Sequence, residues 1–255
     1  MFGKEIKGFM TCAHTFFGRH YYAFRALEED IKKHPRDHMD CLVIGPGYDG
    51  EVTGPISDID DYIRTYQPFE LANAMINAGL ESFVINVVDI SPEVLSEIRK
   101  SPPLMKVSEG FWRSHLQRCL DKEDNLFSYY DSFFPDCTSS SAHGYKIVQI
   151  PDEVINSIKT EPRDIIADGI PERKFDAVVC TTVMSYYFMQ CFNNPEISDE
   201  GKRQMEKMRD SIYPGGYLIT TEEPFPGKEW EILEYKCISA GSVHTESSGL
   251  YRRIE

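Results

Sequence analysis

The sequence predicts an α/β fold, a mixed and mainly parallel sheet with an antiparallel C-terminal strand and a helical cap inserted at residues 101–145. Three observations predict it. Short apolar runs rich in valine and isoleucine alternate with helical patterns through the first hundred residues. Strand, helix, strand, helix in that order builds a parallel sheet through right-handed crossovers. The chain then closes on two strand-like stretches joined by a polar loop, which gives the sheet an antiparallel tail.

The elements follow in order. Across residues 11–35, Phe16, Phe17, Tyr21, Phe24 and Leu27 recur every three or four positions, as one buried helix face would. Cys41-Leu42-Val43-Ile44 is a buried strand that ends on Gly45-Pro46-Gly47. Pro68 to Leu80 reads as a helix with Leu71, Met75 and Ile76 on its apolar face. Phe83 to Asp89 is a second β-branched strand. Ser91 and Pro92 then form an N-cap and first-turn pair for a helix over Glu93 to Lys100. Residues 101–145 break the rhythm, with Pro102, Pro103, a helical stretch over Phe111 to Leu120 and a Ser/Thr/Gly-rich loop near Ser139. Tyr145 to Ile150 and Asn156 to Thr160 read as short strands, and Phe175 to Cys180 as a buried one. A charged helix over Lys202 to Ser211 precedes the turn Tyr213-Pro214-Gly215-Gly216 and a strand over Tyr217 to Thr221. Trp230 to Ser239 and Gly249 to Ile254 are the last two strands.

Bulk properties narrow the function classes. A chain of 255 residues supports one decorated domain with a sizeable core, here 1–255, with residues 1–38 as an N-terminal helical lid. The net charge of −14 opposes a broad surface for nucleic-acid phosphates. No run of 18 apolar residues could span a membrane, and residues 1–10 are too polar for a signal peptide. The seven cysteines are scattered and never form a CxxC pair, which points to reduced thiols in a cytoplasmic protein and to no metal site.

Four constellations carry chemistry. Gly45-Pro46-Gly47-Tyr48-Asp49-Gly50 is a G-x-G-x-x-G after a strand, where missing side chains allow a ligand close to the backbone. Asp89 ends the next long strand, at the edge where open α/β sheets bind ligands, and a carboxylate there can accept both hydroxyl protons of a ribose. It also fits a bland role as an acid ahead of a helix N-terminus. Small polar residues Thr181 and Thr182 follow the Phe175–Cys180 strand, and Pro214-Gly215-Gly216 precedes a late strand. A dinucleotide-binding fold is a competing reading. It wants its acid about 20 residues after the glycine loop, and Asp89 is far beyond that.

The ordered set of glycine loop, acid-ended strand, FDAVVC strand and PGGYLI turn resembles the Rossmann-like class I methyltransferases, which use S-adenosyl-L-methionine (SAM). Within them the chain is most similar to the chemotaxis-receptor (protein-glutamate) type. Thr15-Phe16-Phe17-Gly18-Arg19 resembles that type's T-x-F-F-R segment, with one glycine inserted. Gly50-Glu51, Val179 to Tyr187, and Gly249-Leu250-Tyr251-Arg252-Arg253 are similar to further landmarks. Thr181-Thr182 stands where the family has Arg-Asn, and the family's N-terminal and receptor-docking parts are missing.

The resemblance implies SAM as cofactor. Thr15 and Arg19 would approach its methionine end, Glu51 its amino group, Asp89 the ribose, Asp164 and Ile165 the adenine, and Thr182 and Val183 the methionine portion, with Ile90 a further cofactor-binding residue. His14 and His20 flank the aromatic segment and, with Arg19, are the candidate catalytic residues, because an imidazole is the usual base near neutral pH. The implied reaction is O- or N-methylation of a small-molecule or peptide acceptor, with no nucleic-acid partner. Two alternatives stand beside it, a catalytically inactive methyltransferase-like binding subunit and a nicotinamide-dependent oxidoreductase.

Overall fold

The computed structural model describes residues 17–47, 62–108, 138–140, 145–165, 167–181, 195–221, 229–240 and 243–254. Its first helix, α1 (Tyr21–Lys33), leads into strand β1 (His38–Ile44). Then come α2 (Gln67–Asn77), β2 (Ser82–Asp89) and α3 (Pro92–Glu97). Strands β3 (Leu104–Ser108), β4 (Thr138–Ser140) and β5 (Tyr145–Gln149) precede α4 (Asp152–Ser157) and β6 (Ile158–Pro162). The remainder is β7 (Phe175–Cys180), α5 (Pro195–Asp210), β8 (Ile212–Thr220), β9 (Trp230–Ala240) and β10 (Val243–Arg253).

Seven strands form the main sheet in the order β6-β2-β1-β7-β8-β10-β9. The pairs β6–β2, β2–β1, β1–β7 and β7–β8 are parallel, and both pairs of β10 are antiparallel. This is the expected mainly parallel α/β sheet with its reversed C-terminal strand. β1 and β7 carry apolar side chains on both faces because both faces are covered. Cys41, Val43, Ala177 and Val179 join the core beneath α1 and α2. Leu42, Ile44, Val178 and Cys180 join the opposite core with Met208 of α5.

Several boundaries differ from the sequence reading. The strand expected over Asn156 to Thr160 begins only at Ile158, because Pro151 and the acids Asp152 and Glu153 start α4. Acids in a first turn suit the helix dipole. Tyr213 to Gly216 lies inside β8, at an irregular register shift against β7, instead of forming a free turn. Thr138 to Ser140, read as loop, pairs with β5, and β3-β5-β4 form a small antiparallel sheet at the two ends of the 101–145 segment. The helical stretch over Phe111 to Leu120 lies outside the described residues. Ile76, placed on the apolar face of α2, is exposed, whereas every residue from Gln67 to Met75 is buried.

Candidate functional site

The strand order reverses at β1, which has β2 on one side and β7 on the other. Ligands of open α/β sheets bind at such a switch point, outside the carboxyl ends of the strands. Four predicted segments meet there. β1 ends in Gly45-Pro46-Gly47, with φ of 56° at Gly45 and 72° at Gly47, a region that side chains disfavour. Gly45 N–H donates to the Val88 carbonyl at 2.9 Å, so the glycine loop lies beside the end of β2. Arg163 N–H donates to the Asp89 carbonyl at 2.9 Å, which ties the end of β6 to the same point. Thr181 closes the row at the end of β7.

Asp89 is 7% exposed. Its Oδ1 accepts from Ser91 N–H at 2.7 Å. Burial pushes its carboxyl up from the ordinary 3.8 to about 6, assisted by Glu93 and opposed by the backbone N–H groups of Ser91 and Ile90. The bland reading, an acid serving a helix terminus, fits less well, since Ser91 itself caps α3 by accepting from Val94 N–H at 3.3 Å. Asp89 keeps acceptor capacity beyond two backbone bonds, because a carboxylate offers about four lone-pair positions. Ile90 is half-buried next to it.

Asp164 and Ile165 follow β6, and their side chains have other engagements. Asp164 Oδ1 accepts from Ala167 N–H at 3.2 Å within its own turn. Ile165 packs into the core with Leu42, Ile44 and Val88. Arg19 is half-buried ahead of α1. His20 beside it is 1% exposed, and desolvation, then the charge of Arg19, hold its imidazole well below the usual 6.5. It is therefore neutral. His14, Thr15, Glu51, Thr182 and Val183 lie outside the described residues.

A second row of polar groups was missed from the sequence. Thr65 Oγ donates to the Gly47 carbonyl at 3.1 Å and so braces the glycine loop. Gln67 Nε2 donates to Thr181 Oγ at 2.7 Å, linking α2 to the end of β7. Gly18 N–H donates to Glu70 Oε1 at 2.7 Å, and the Phe17 ring meets Tyr66 edge-on at 5.6 Å. Glu70 neighbours both Gln67 and Asn73 on α2 by its spacing of three from each. All three are buried. The available signal was this polar spacing inside a helix with apolar residues on its remaining sides.

No known protein family and no curated protein matches the sequence. Solved structures of similar chain course include the N-methyltransferase NodS from Bradyrhizobium japonicum WM9 in complex with S-adenosyl-L-homocysteine. It has 11% identity, 93% of this chain and 86% of that chain covered, and a TM-score of 0.45. TrmN from Thermus thermophilus has 7% identity, 89% and 48% coverage and a TM-score of 0.41. A SAM-dependent methyltransferase from Clostridium acetobutylicum ATCC 824 has 13% identity, 91% and 74% coverage and a TM-score of 0.35.

Proposed function

We propose that this chain binds SAM along the carboxyl edge of its sheet and transfers the methyl group to a small-molecule or peptide acceptor. The observation that carries this reading is the pairing of a buried Asp89 at the end of β2 with the positive-φ glycine loop at the end of β1, one strand away. Asp89, with Ile90, would hold the ribose. Gly45 and Gly47 would let the backbone approach the cofactor. Asp164 and Ile165 would flank the adenine. Arg19, with Thr15, Glu51, Thr182 and Val183, would take the methionine end. SAM supplies an electrophilic methyl on a sulfonium, and the chain's contribution is to hold the acceptor in line at near-attack distance.

The reversed β10 argues against the nicotinamide reading. A dinucleotide fold continues its sheet in the parallel order 3-2-1-4-5-6. Here an antiparallel strand stands between β8 and β9. The acidic charge balance favours a small-molecule or peptide acceptor over a nucleic acid. Calorimetry with S-adenosylhomocysteine tests the proposal. Binding by the wild type and at least tenfold weaker binding by a folded Asp89→Ala variant is the expected pair. Equal affinity of the two would remove Asp89 from the site, and no binding by the wild type would overturn the reading.

A further inference from the structure

Gly47 does not fix its own shape. Its φ is 72°, and a glycine has no side chain to pack and many other conformations to visit. A ligand loop built on it needs an outside contact to stay in one form. Thr65 makes that contact, donating from its hydroxyl to the Gly47 carbonyl at 3.1 Å. Thr65 is itself 0% exposed.

Thr65 stands in a short segment, residues 62–67, that is fastened at every position around it. Lys100 Nζ donates to the Tyr62 carbonyl at 2.8 Å. Ile63 N–H donates to the Leu104 carbonyl at 2.7 Å, at the start of β3. Arg64 donates twice at 3.2 Å, once to each carboxylate oxygen of Glu97 at the end of α3. Lys100 joins Glu97 at 2.8 Å. A bidentate guanidinium pair fixes direction as well as distance. Tyr66 meets the Phe17 ring edge-on, and Gln67 Nε2 donates to Thr181. α3 is the helix that Ser91 caps, two residues past Asp89. The segment therefore joins the helix that follows Asp89 to the loop that ends β1.

The other bonds of the segment restrain helices and strands. The Thr65 bond restrains a glycine at the ligand edge of the sheet. We propose that Thr65 is a positioning residue, which holds Gly47 in the form that receives the cofactor, and that residues 62–67, pinned to α3, are the strap that keeps Thr65 still. A loop held in one form has less entropy to lose on binding. The identity of the cofactor rests on the SAM reading, and the strap does not.

Two substitutions separate this role from simple packing. Thr65→Val keeps the shape and removes the hydroxyl, whereas Thr65→Ser keeps the hydroxyl and removes a buried methyl. By calorimetry on the full chain, valine should weaken S-adenosylhomocysteine binding about three- to tenfold, the worth of one neutral hydrogen bond. Serine should bind within about twofold of wild type, since the bond remains, yet melt at a lower temperature than wild type. Gly45 N–H, bonded to the Val88 carbonyl at 2.9 Å, reports opening of the loop. Its hydrogen exchange by NMR, without ligand, should quicken in the valine variant and not in the serine one. Affinity that follows melting temperature, with serine the weaker binder, overturns the proposal and leaves Thr65 a packing residue. Unchanged Gly45 exchange in the valine variant overturns it as well. A wild type that binds no S-adenosylhomocysteine defeats the methyltransferase reading alone, and the strap is then decided by exchange, upheld by quickening in valine only and overturned by equal rates.

Discussion

Asp89→Asn should make the ligand-free protein more stable while damaging its function. The substitution removes the charge and keeps an oxygen to accept from Ser91 N–H, which lies 2.7 Å from Asp89 Oδ1. The folded carboxyl titrates at about 6 because of burial, against 3.8 ordinarily. The folded state therefore holds this proton more tightly than the unfolded chain does. Stability linked to the group is present in full below pH 3.8 and is lost as pH rises through about 6. A displacement of that size corresponds to a penalty of about 3 kcal/mol once the group is ionised. Asparagine escapes it. At about pH 8 the variant should gain about 1–3 kcal/mol, which for a chain this long is a melting-temperature rise of roughly 3–10 °C. The gain should vanish by about pH 4. Affinity for S-adenosylhomocysteine should fall at least tenfold, since a hydrogen bond to a charged group contributes about 1.5–3 kcal/mol. Thermal melts across this pH range and calorimetry at pH 8 measure both effects. A variant no more stable than wild type at pH 8, or a gain that does not change with pH, refutes the reasoning.

Three further outcomes follow from the same physics. Gly47→Val should abolish binding of S-adenosylhomocysteine with circular dichroism unchanged, because φ is 72° there and the loop flanks Asp89; normal binding by the variant makes the loop a plain turn. Gly216→Ala should destabilise by roughly 2–3 kcal/mol in urea titration, since its Cβ would stand 2.8 Å from the Asp176 carbonyl and 2.7 Å from Ile212 Cγ2; a neutral result would mean that β8 shifts freely at its bulge. His20 is buried neutral, so its contribution to stability is present above its unfolded value near 6.5 and is lost as pH falls through that value. His20→Leu should therefore gain on wild type as pH drops from about 7 to about 5, and parallel stability curves would show that His20 charges freely.

The strands that build the site were legible because burial on two faces leaves apolar runs at the carboxyl ends of β1 and β7 and through most of β2. Asp89 was legible for the same reason, as the first acid after such a run. β6 was legible only as a short strand with shifted bounds, because it is five residues long and only Ile158 is fully buried. The row on α2 was illegible for a different cause. Pattern reading assigns polar residues to the solvent side, and Gln67, Glu70 and Asn73 obey the helical period while facing inward. Ile76 was misplaced by the complementary error. Which side of a helix faces water depends on what lies against it, and here that is the Phe17–His20 segment, remote in sequence.

The position of β10 bears on how the polypeptide can assemble during synthesis. β9 leaves the ribosome before β10, yet among the described residues its ladder is made with β10 and not with β8. Until residues 243–253 emerge, the β8 edge and all of β9 await the same missing ribbon. β10 then enters between them, and Arg252 fastens it to Asp30 of α1 at 3.0 Å and to Glu231 of β9. The half of the sheet that holds the glycine loop and Asp89 can pair early from its own contiguous strands. The far half closes only by late insertion. A nonsense codon near residue 242 would thus remove one strand from the chain and orphan a second.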